Sequence, residues 1–140
     1  MQQKNGLIFI LIGTAHTLLG LSLWGFGKQF SEFSSTLFFR INSGILEFPL
    51  FNGQMDYESF AAFWFFYFGL LLFPIGLLVR FMEKQELVLP RSFVLGYLLV
   101  ILLGAYMIPL SGMTFFMLPH ALFMAWQLRR DELKSGKEVG

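Results

Sequence analysis

Residues 6–27 read GLIFILIGTAHTLLGLSLWGFG, an uncharged run that lies between Lys4 and Lys28. About 20 apolar residues are enough for a helix to cross the hydrocarbon core of a bilayer. The run is longer than the apolar part of a secretory signal peptide, and no small-residue cleavage site follows it. We therefore interpret it as an uncleaved first membrane span. One ionisable side chain, His16, lies near its middle and needs a polar partner, because an ionisable group at that depth is costly.

Three more uncharged runs follow, at residues 59–79, 92–108 and 113–128. The last two are separated by Pro-Leu-Ser-Gly at 109–112, which predicts a tight turn between two short helices. Hydrophobic residues make up 56% of the chain and charged residues only 14%, against about 25% in soluble domains. The sequence therefore predicts one all-α membrane domain over residues 1–140, a bundle of four transmembrane helices.

Residues 28–58 connect the first two predicted spans. Apolar side chains recur there at helical spacing with polar residues between them, which predicts an amphipathic helix on the membrane surface. The apolar members are Phe30, Phe33, Leu37, Phe38 and Ile41. Pro49 and Asn52-Gly53 then signal turns. After the fourth span, residues 129–140 form a charged tail.

The basic residues predict the orientation of the chain. With four spans, most of them fall on the side of the two termini: Lys4, Arg80, Lys84, Arg91, Arg129, Arg130, Lys134 and Lys137. Only Lys28 and Arg40 fall on the other side. Because basic residues concentrate in cytoplasmic loops, both termini are predicted to be cytoplasmic and the amphipathic helix extracytoplasmic.

The composition also argues against several function classes. The net charge of +1 gives no indication of nucleic-acid binding, and the absence of cysteine excludes disulfides and thiolate chemistry. All carboxylates lie outside the predicted spans, so no paired acid and base lies within them. Phosphate-binding glycine loops and nucleophile elbows are absent as well. Enzymatic activity is left open, and a non-enzymatic membrane protein is the favoured interpretation.

His16 in the first span and His120 in the fourth are predicted to lie at similar depth near the bilayer midplane. Two imidazoles that face each other across a helix bundle are one way to bind haem axially. A bis-histidine electron-transfer protein is therefore an alternative. The more common role for each imidazole is a hydrogen bond to a neighbouring hydroxyl or carbonyl, or a contact with a ligand.

Methionines flank the second histidine at helical spacing, as Met113, Met117 and Met124. Thioethers together with an imidazole suit Cu(I), although methionine more often fills an irregular core. No metal is predicted on this spacing alone. Gln127 continues the same helix face and is predicted to bond a neighbouring helix.

We predict instead an aromatic pocket near His16 for a small apolar or lipid-like ligand, or for a membrane partner. Its predicted lining is His16, Thr17, Trp64, Tyr67, Tyr106, Ser111, Met117 and His120. Glycines at 13, 20 and 27 recur every seven residues and predict the packing face of the first helix, to which His16 also points. A membrane-embedded enzyme that acts on a lipid or quinone, with His16 as acid or base, is a third alternative. Membrane lipids are the expected partners, and a homo-oligomer is compatible with the sequence.

Four motifs resemble a family of small, uncharacterised four-span bacterial membrane proteins: GTAHTLLG at 13–20, FWFFYFGLLL at 63–72, Leu-Pro at 89–90 and PLSG at 109–112. The resemblance covers most of residues 6–125. It implies the four-span architecture and the bacterial inner membrane, with His16 and Ser111-Gly112 as family-like positions. It implies no activity, and His120 departs from the family pattern.

Overall fold

The computed structural model describes residues 4–36, 50–51, 54–55 and 57–135. Apart from one short antiparallel pairing, all of its regular elements are helices, as the sequence predicts. The elements are α1 at Asn5–Leu21, α2 at Gly27–Thr36, β1 at Leu50–Phe51, β2 at Gln54–Met55, α3 at Tyr57–Lys84, α4 at Arg91–Met107 and α5 at Leu118–Ser135, preceded directly by a π-helical turn at Met113–Met117.

The first predicted span is shorter than the uncharged run that suggested it. Helix α1 ends at Leu21, where the Ser22 hydroxyl donates a hydrogen bond to the Leu19 carbonyl at 2.7 Å. A side chain at Gly25 would collide with that same carbonyl, so the chain can fold back here only because glycine has none. The expectation that Gly27 continues the packing face of α1 was therefore wrong, since Gly27 begins α2.

Helix α2 agrees with the first part of the predicted amphipathic helix. Its Phe30 ring contacts Phe66 of α3 at 4.7 Å between centroids, and Gln29 donates to the Glu58 carboxylate at 3.2 Å. The remaining predicted apolar positions, residues 37–41, lie outside the described residues, as does the side chain of Phe33. Strands β1 and β2 pair in antiparallel orientation, with Leu50 opposite Met55. The predicted turn residues Pro49 and Asn52-Gly53 lie outside the described residues.

Helix α3 runs past both predicted ends of the second span and continues through Pro74. It stops after Lys84 because Glu86 adopts a left-handed backbone conformation with φ of 56°, which directs the Leu87 N–H to the Met82 carbonyl at 2.9 Å. Helix α5 likewise extends to Ser135, so the first half of the predicted charged tail is helical.

The chain divides into two compact units, one from Gly13 to Pro74 and the other formed by the segments before and after it. In the unit formed by Met1–Ile12 and Ile75–Gly140, the buried hydrophobic side chains are Phe9, Val79, Leu89, Val94, Ile101, Met117, Ala121 and Met124. In the Gly13–Pro74 unit, Ala62 and Leu72 are buried together with the glycines at 13, 20 and 69.

Among the described residues, one helix is long and apolar enough to cross a membrane. It covers Phe60–Lys84, 25 residues with a best-window mean hydropathy of 2.2. Helices α1 and α4 are also apolar but have only 17 residues each.

Candidate functional site

His16 lies in the Gly13–Pro74 unit, where its imidazole packs against aromatic rings of α3. It stacks on Phe65 with 3.8 Å between ring centroids and 18° between planes, and it meets the edge of Phe68 at 5.4 Å. The Phe26 ring also contacts Phe65, with 5.1 Å between centroids and 53° between planes. The Nε2 atom of His16 is buried and has no hydrogen-bond partner among the described residues. The site therefore offers an aromatic surface with one unsatisfied polar atom.

Small residues bring α1 and α3 close enough for this stack. A Cβ atom on Gly13 would lie 2.8 Å from the Gly69 carbonyl oxygen, and one on Gly20 would lie 2.8 Å from the Phe65 ring. A Cβ on Gly69 would overlap the Thr17 hydroxyl. We call Gly13, Thr17, Gly20 and Gly69 the glycine seam. The predicted packing role of Gly13 and Gly20 is confirmed.

Thr17 contributes a second buried polar atom to the same helical turn as His16. Its hydroxyl oxygen lies against Gly69 and has no hydrogen-bond partner among the described residues. A hydroxyl or imidazole buried in apolar surroundings without a partner costs roughly 1–3 kcal/mol. Two such atoms on adjacent residues distinguish this turn from ordinary core packing.

The other aromatic members of the predicted pocket have different neighbours. Trp64 is 52% exposed and contacts Phe60 and Phe63 edge-on, while Tyr67 stacks on Phe63 at 5.5 Å. These aromatic rings contact one another in succession along α3. Tyr106 is 84% exposed, and the Ser111 hydroxyl lies 3.3 Å from that of Thr114. Of the predicted set, His16 stacks on Phe65, and Thr17 lies beside it against Gly69.

His120 and Met117, the remaining predicted members, lie in the other compact unit. The His120 side chain is buried, its Nδ1 lies 3.3 Å from the Tyr97 hydroxyl, and its ring meets Phe9 edge-on at 4.7 Å. Phe9 in turn contacts Tyr97 at 4.9 Å. The Nε2 atom of His120 is buried without a partner among the described residues. Each histidine therefore has its own set of neighbours.

A polar junction of Asn5, Glu83 and Gln127 joins three helices of that same unit. The Glu83 carboxylate accepts hydrogen bonds from the Asn5 N–H at 2.7 Å and the Gly6 N–H at 3.2 Å, which satisfies two of the free N–H groups at the start of α1. The Asn5 side-chain amide donates to the Gln127 oxygen at 2.8 Å. The predicted bond from Gln127 to a neighbouring helix is thereby confirmed.

The histidine sites, the glycine seam and the polar junction all lie within the part of the chain that matches a protein-family model. A model described as a family of unknown function, DUF6463, matches residues 1–131. The chain belongs to DUF6463. Neither the curated proteins nor the solved structures include a match to it. The resemblance to an uncharacterised family is thus confirmed.

Among the residues of these sites that the sequence of this DUF6463 chain did not indicate are Asn5, Glu83 and Tyr97. Asn5 and Glu83 lie in the polar segments beside the uncharged runs, and their position there indicates no contact between them. Tyr97 lies inside the uncharged run 92–108, where its hydroxyl is the one polar side-chain group between Ser92 and Tyr106. The side chain of Met113, which belongs to the predicted methionine series, lies outside what the structure describes.

Proposed function

We propose that this DUF6463 protein is a four-span protein of the bacterial inner membrane that binds a small apolar or lipid-like ligand beside His16. Both termini are cytoplasmic in this proposal, and the bound ligand touches the aromatic rings of α3. The observation that supports it best is the buried, unpartnered Nε2 of His16 on a stacked aromatic surface. The membrane location and the ligand have separate support.

The exposure of apolar side chains supports the membrane location. Only 28% of the most apolar window of α3 is buried, whereas the core helix of a soluble protein is mostly buried. Large apolar side chains also point outward from α1, α4, the π-helical turn and α5. Examples more than half exposed are Leu11, Leu18, Leu99, Val100, Leu103, Phe115, Phe116, Leu122 and Trp126. Apolar exposure on this scale marks a surface that is covered by lipid or protein.

The positions of the charged residues support four crossings. Lys4 directly precedes α1, Arg80 and Lys84 lie at the end of α3, and Arg91 begins α4. Arg129 and Arg130 lie in the last turns of α5. If α1, α3, α4 and α5 each cross the bilayer in turn, all of these basic residues reach one face, as the positive-inside rule requires of the cytoplasmic face.

The first test concerns topology. We expect the protein to stay in the membrane pellet after washing with alkaline carbonate, and a green fluorescent protein fused to the C-terminus to fluoresce. Alkaline phosphatase fused after Lys28 should be active, because it would be exported, whereas the matched fusion after Lys84 should be inactive. Release by carbonate, or equal phosphatase activity in both fusions, would contradict four spans with cytoplasmic termini.

The chemistry beside His16 supports the choice of ligand. A polar atom in an apolar environment needs a partner, since no water is present to replace one. A ligand with one polar group and an apolar body would satisfy His16 Nε2 while its body packs on Phe65 and Phe68. Lipids and lipid-like molecules have this composition, and a membrane supplies them.

The second test measures retained ligand. Organic extracts of the purified wild-type protein should contain a bound lipid-like compound, which mass spectrometry would quantify per protein. His16→Leu should reduce its amount about tenfold, equivalent to roughly 1.4 kcal/mol of lost binding free energy. Leu18→Ala, which changes an exposed side chain on the same helix, is the control and should retain it. Equal retention in the wild type and His16→Leu would refute a ligand at His16.

A further inference from the structure

The buried face of α5 contains an unpartnered imidazole that the proposed function does not use. We propose that His120 Nε2, together with the thioether sulfurs of Met117 and Met124, forms a binding site for one soft monovalent metal ion of the Cu(I) class. This proposal does not depend on the ligand beside His16, because its residues belong to the other compact unit.

The helix geometry places the three donors on one buried face. Met117 precedes His120 by three residues and Met124 follows it by four, so all three point to the same side of the helix. Met117 and Met124 lie about 4.5 and 6 Å from His120 along the axis at about 1.5 Å per residue. A flexible methionine side chain can cover that distance. Met117 is 4% exposed, His120 5% and Met124 2%.

The turn that precedes this face is π-helical, Met113–Met117. Single π-helical turns are rare and frequently occur at functional sites, because the wider turn changes the direction of the side chains that follow. Here the π-helical turn ends at Met117, the first of the three donors. It therefore sets the angular position of Met117 relative to His120.

The Tyr97 hydroxyl is the neighbour of His120 Nδ1, the imidazole nitrogen that does not bind the metal in this proposal. If Nδ1 donates its proton to the Tyr97 hydroxyl oxygen, 3.3 Å away, Nε2 has a free lone pair. Metal-binding histidines usually donate their other N–H to an oxygen in this way, which orients the ring. Tyr97 is thus the positioning residue of the proposed site. A metal ion would occupy the one position on the imidazole that has no partner.

The donor set selects the class of metal. Thioether and imidazole ligands are neutral, and thioethers favour Cu(I) over the hard divalent ions that prefer oxygen. The sequence has no cysteine, and no cluster of three or more histidine, aspartate or glutamate side chains suited to a metal ion occurs in the described part of the chain. A monovalent ion also adds the smallest charge to a buried, neutral environment. Ag(I), which has the same preferences and does not change oxidation state here, is the convenient probe.

The experiment titrates the full-length protein in detergent with Ag(I), and anaerobically with Cu(I) against a competing chelator. We expect one equivalent to bind, and X-ray absorption of the Cu(I) form should show nitrogen and sulfur neighbours. Met117→Leu and Met124→Leu, which conserve volume, should each weaken binding at least tenfold, and His120→Leu should abolish it. Met107→Leu, which alters a methionine that is 69% exposed, and His16→Leu should bind as the wild type does.

Tyr97→Phe separates positioning from packing. It keeps the ring that contacts Phe9 and removes only the hydroxyl. His120 Nδ1 then loses its partner, so the thermal midpoint of the metal-free protein should fall, but by less than in Tyr97→Leu, which removes the aromatic ring as well. The affinity should fall about 10- to 100-fold, as for other residues that orient a ligand histidine. No bound equivalent in the wild type, or binding that is unchanged in both Met117→Leu and Met124→Leu, would show that the methionines only fill the core and would overturn the proposal.

Discussion

Gly69→Ala is expected to lower the free energy of unfolding by about 1–3 kcal/mol, the usual cost of overpacking. The new methyl group would overlap the Thr17 hydroxyl and lie 3.0 Å from the Thr17 backbone nitrogen. Backbone cannot move aside as the end of a flexible side chain can, so α1 and α3 would have to separate. The stack of His16 on Phe65 depends on the same close approach, and ligand retention should therefore fall together with stability.

Gly96→Ala provides the matched control for this substitution. Gly96 is also inside a helix, but a Cβ atom there would meet nothing within 4 Å. Because alanine favours helix by about 0.8–1 kcal/mol over glycine, this variant should be neutral or slightly more stable. Thermal midpoints in one detergent would provide the comparison. If Gly69→Ala and Gly96→Ala behave alike, the glycine seam does not hold the two helices together.

Breaking the polar junction is expected to have an effect of similar size. Asn5→Leu removes the partner of the buried Gln127 amide, and Gln127→Leu removes the partner of the Asn5 amide. An amide left buried without a partner costs about 1–3 kcal/mol, whereas replacing both groups by apolar ones of similar shape can be nearly neutral. The double variant should therefore lose clearly less stability than the sum of the two single variants.

A double-mutant cycle on thermal or denaturant stability measures this difference. The backbone N–H of Asn5 still bonds Glu83 in every variant, so the start of α1 keeps its cap. Gln85→Leu, which alters an exposed amide just after α3, is the control and should have little effect. Strictly additive losses from Asn5→Leu and Gln127→Leu would mean that the hydrogen bond between them contributes no stability.

Hydrophobic runs and turn signals were sufficient to predict the helices. The first three uncharged runs coincide with α1, α3 and α4, and the fourth coincides with the π-helical turn together with α5. Helix formation here depends on local composition and on the break at Pro109, which lies in the turn after α4. The end of α1 was mispredicted because Leu23, Trp24 and Phe26 are as apolar as the helix before them. What ends that helix is backbone geometry at Ser22 and Gly25, which hydropathy does not report.

The sites were predicted less completely because they depend on which helix faces which. The seven-residue spacing of Gly13 and Gly20 pointed to a close contact, and His16 was placed on that side. The sequence could not select Phe65 as the stacking partner from a run in which almost every residue is aromatic. Likewise, Asn5 and Gln127 are 122 residues apart, and only the fold brings their amides together.

The lengths of α1 and α4 have a consequence for the bilayer that would surround this protein. Seventeen residues extend about 25 Å along a helix axis, roughly 5 Å less than an average hydrocarbon core. Trp24, 95% exposed directly beyond α1, suits the headgroup level and would resist being drawn deeper. Such hydrophobic mismatch is relieved when the lipid compresses around the short helices. If α1 and α4 span the membrane as proposed, the protein would therefore thin the lipid bilayer directly around it. It would also partition into the thinner regions of the membrane.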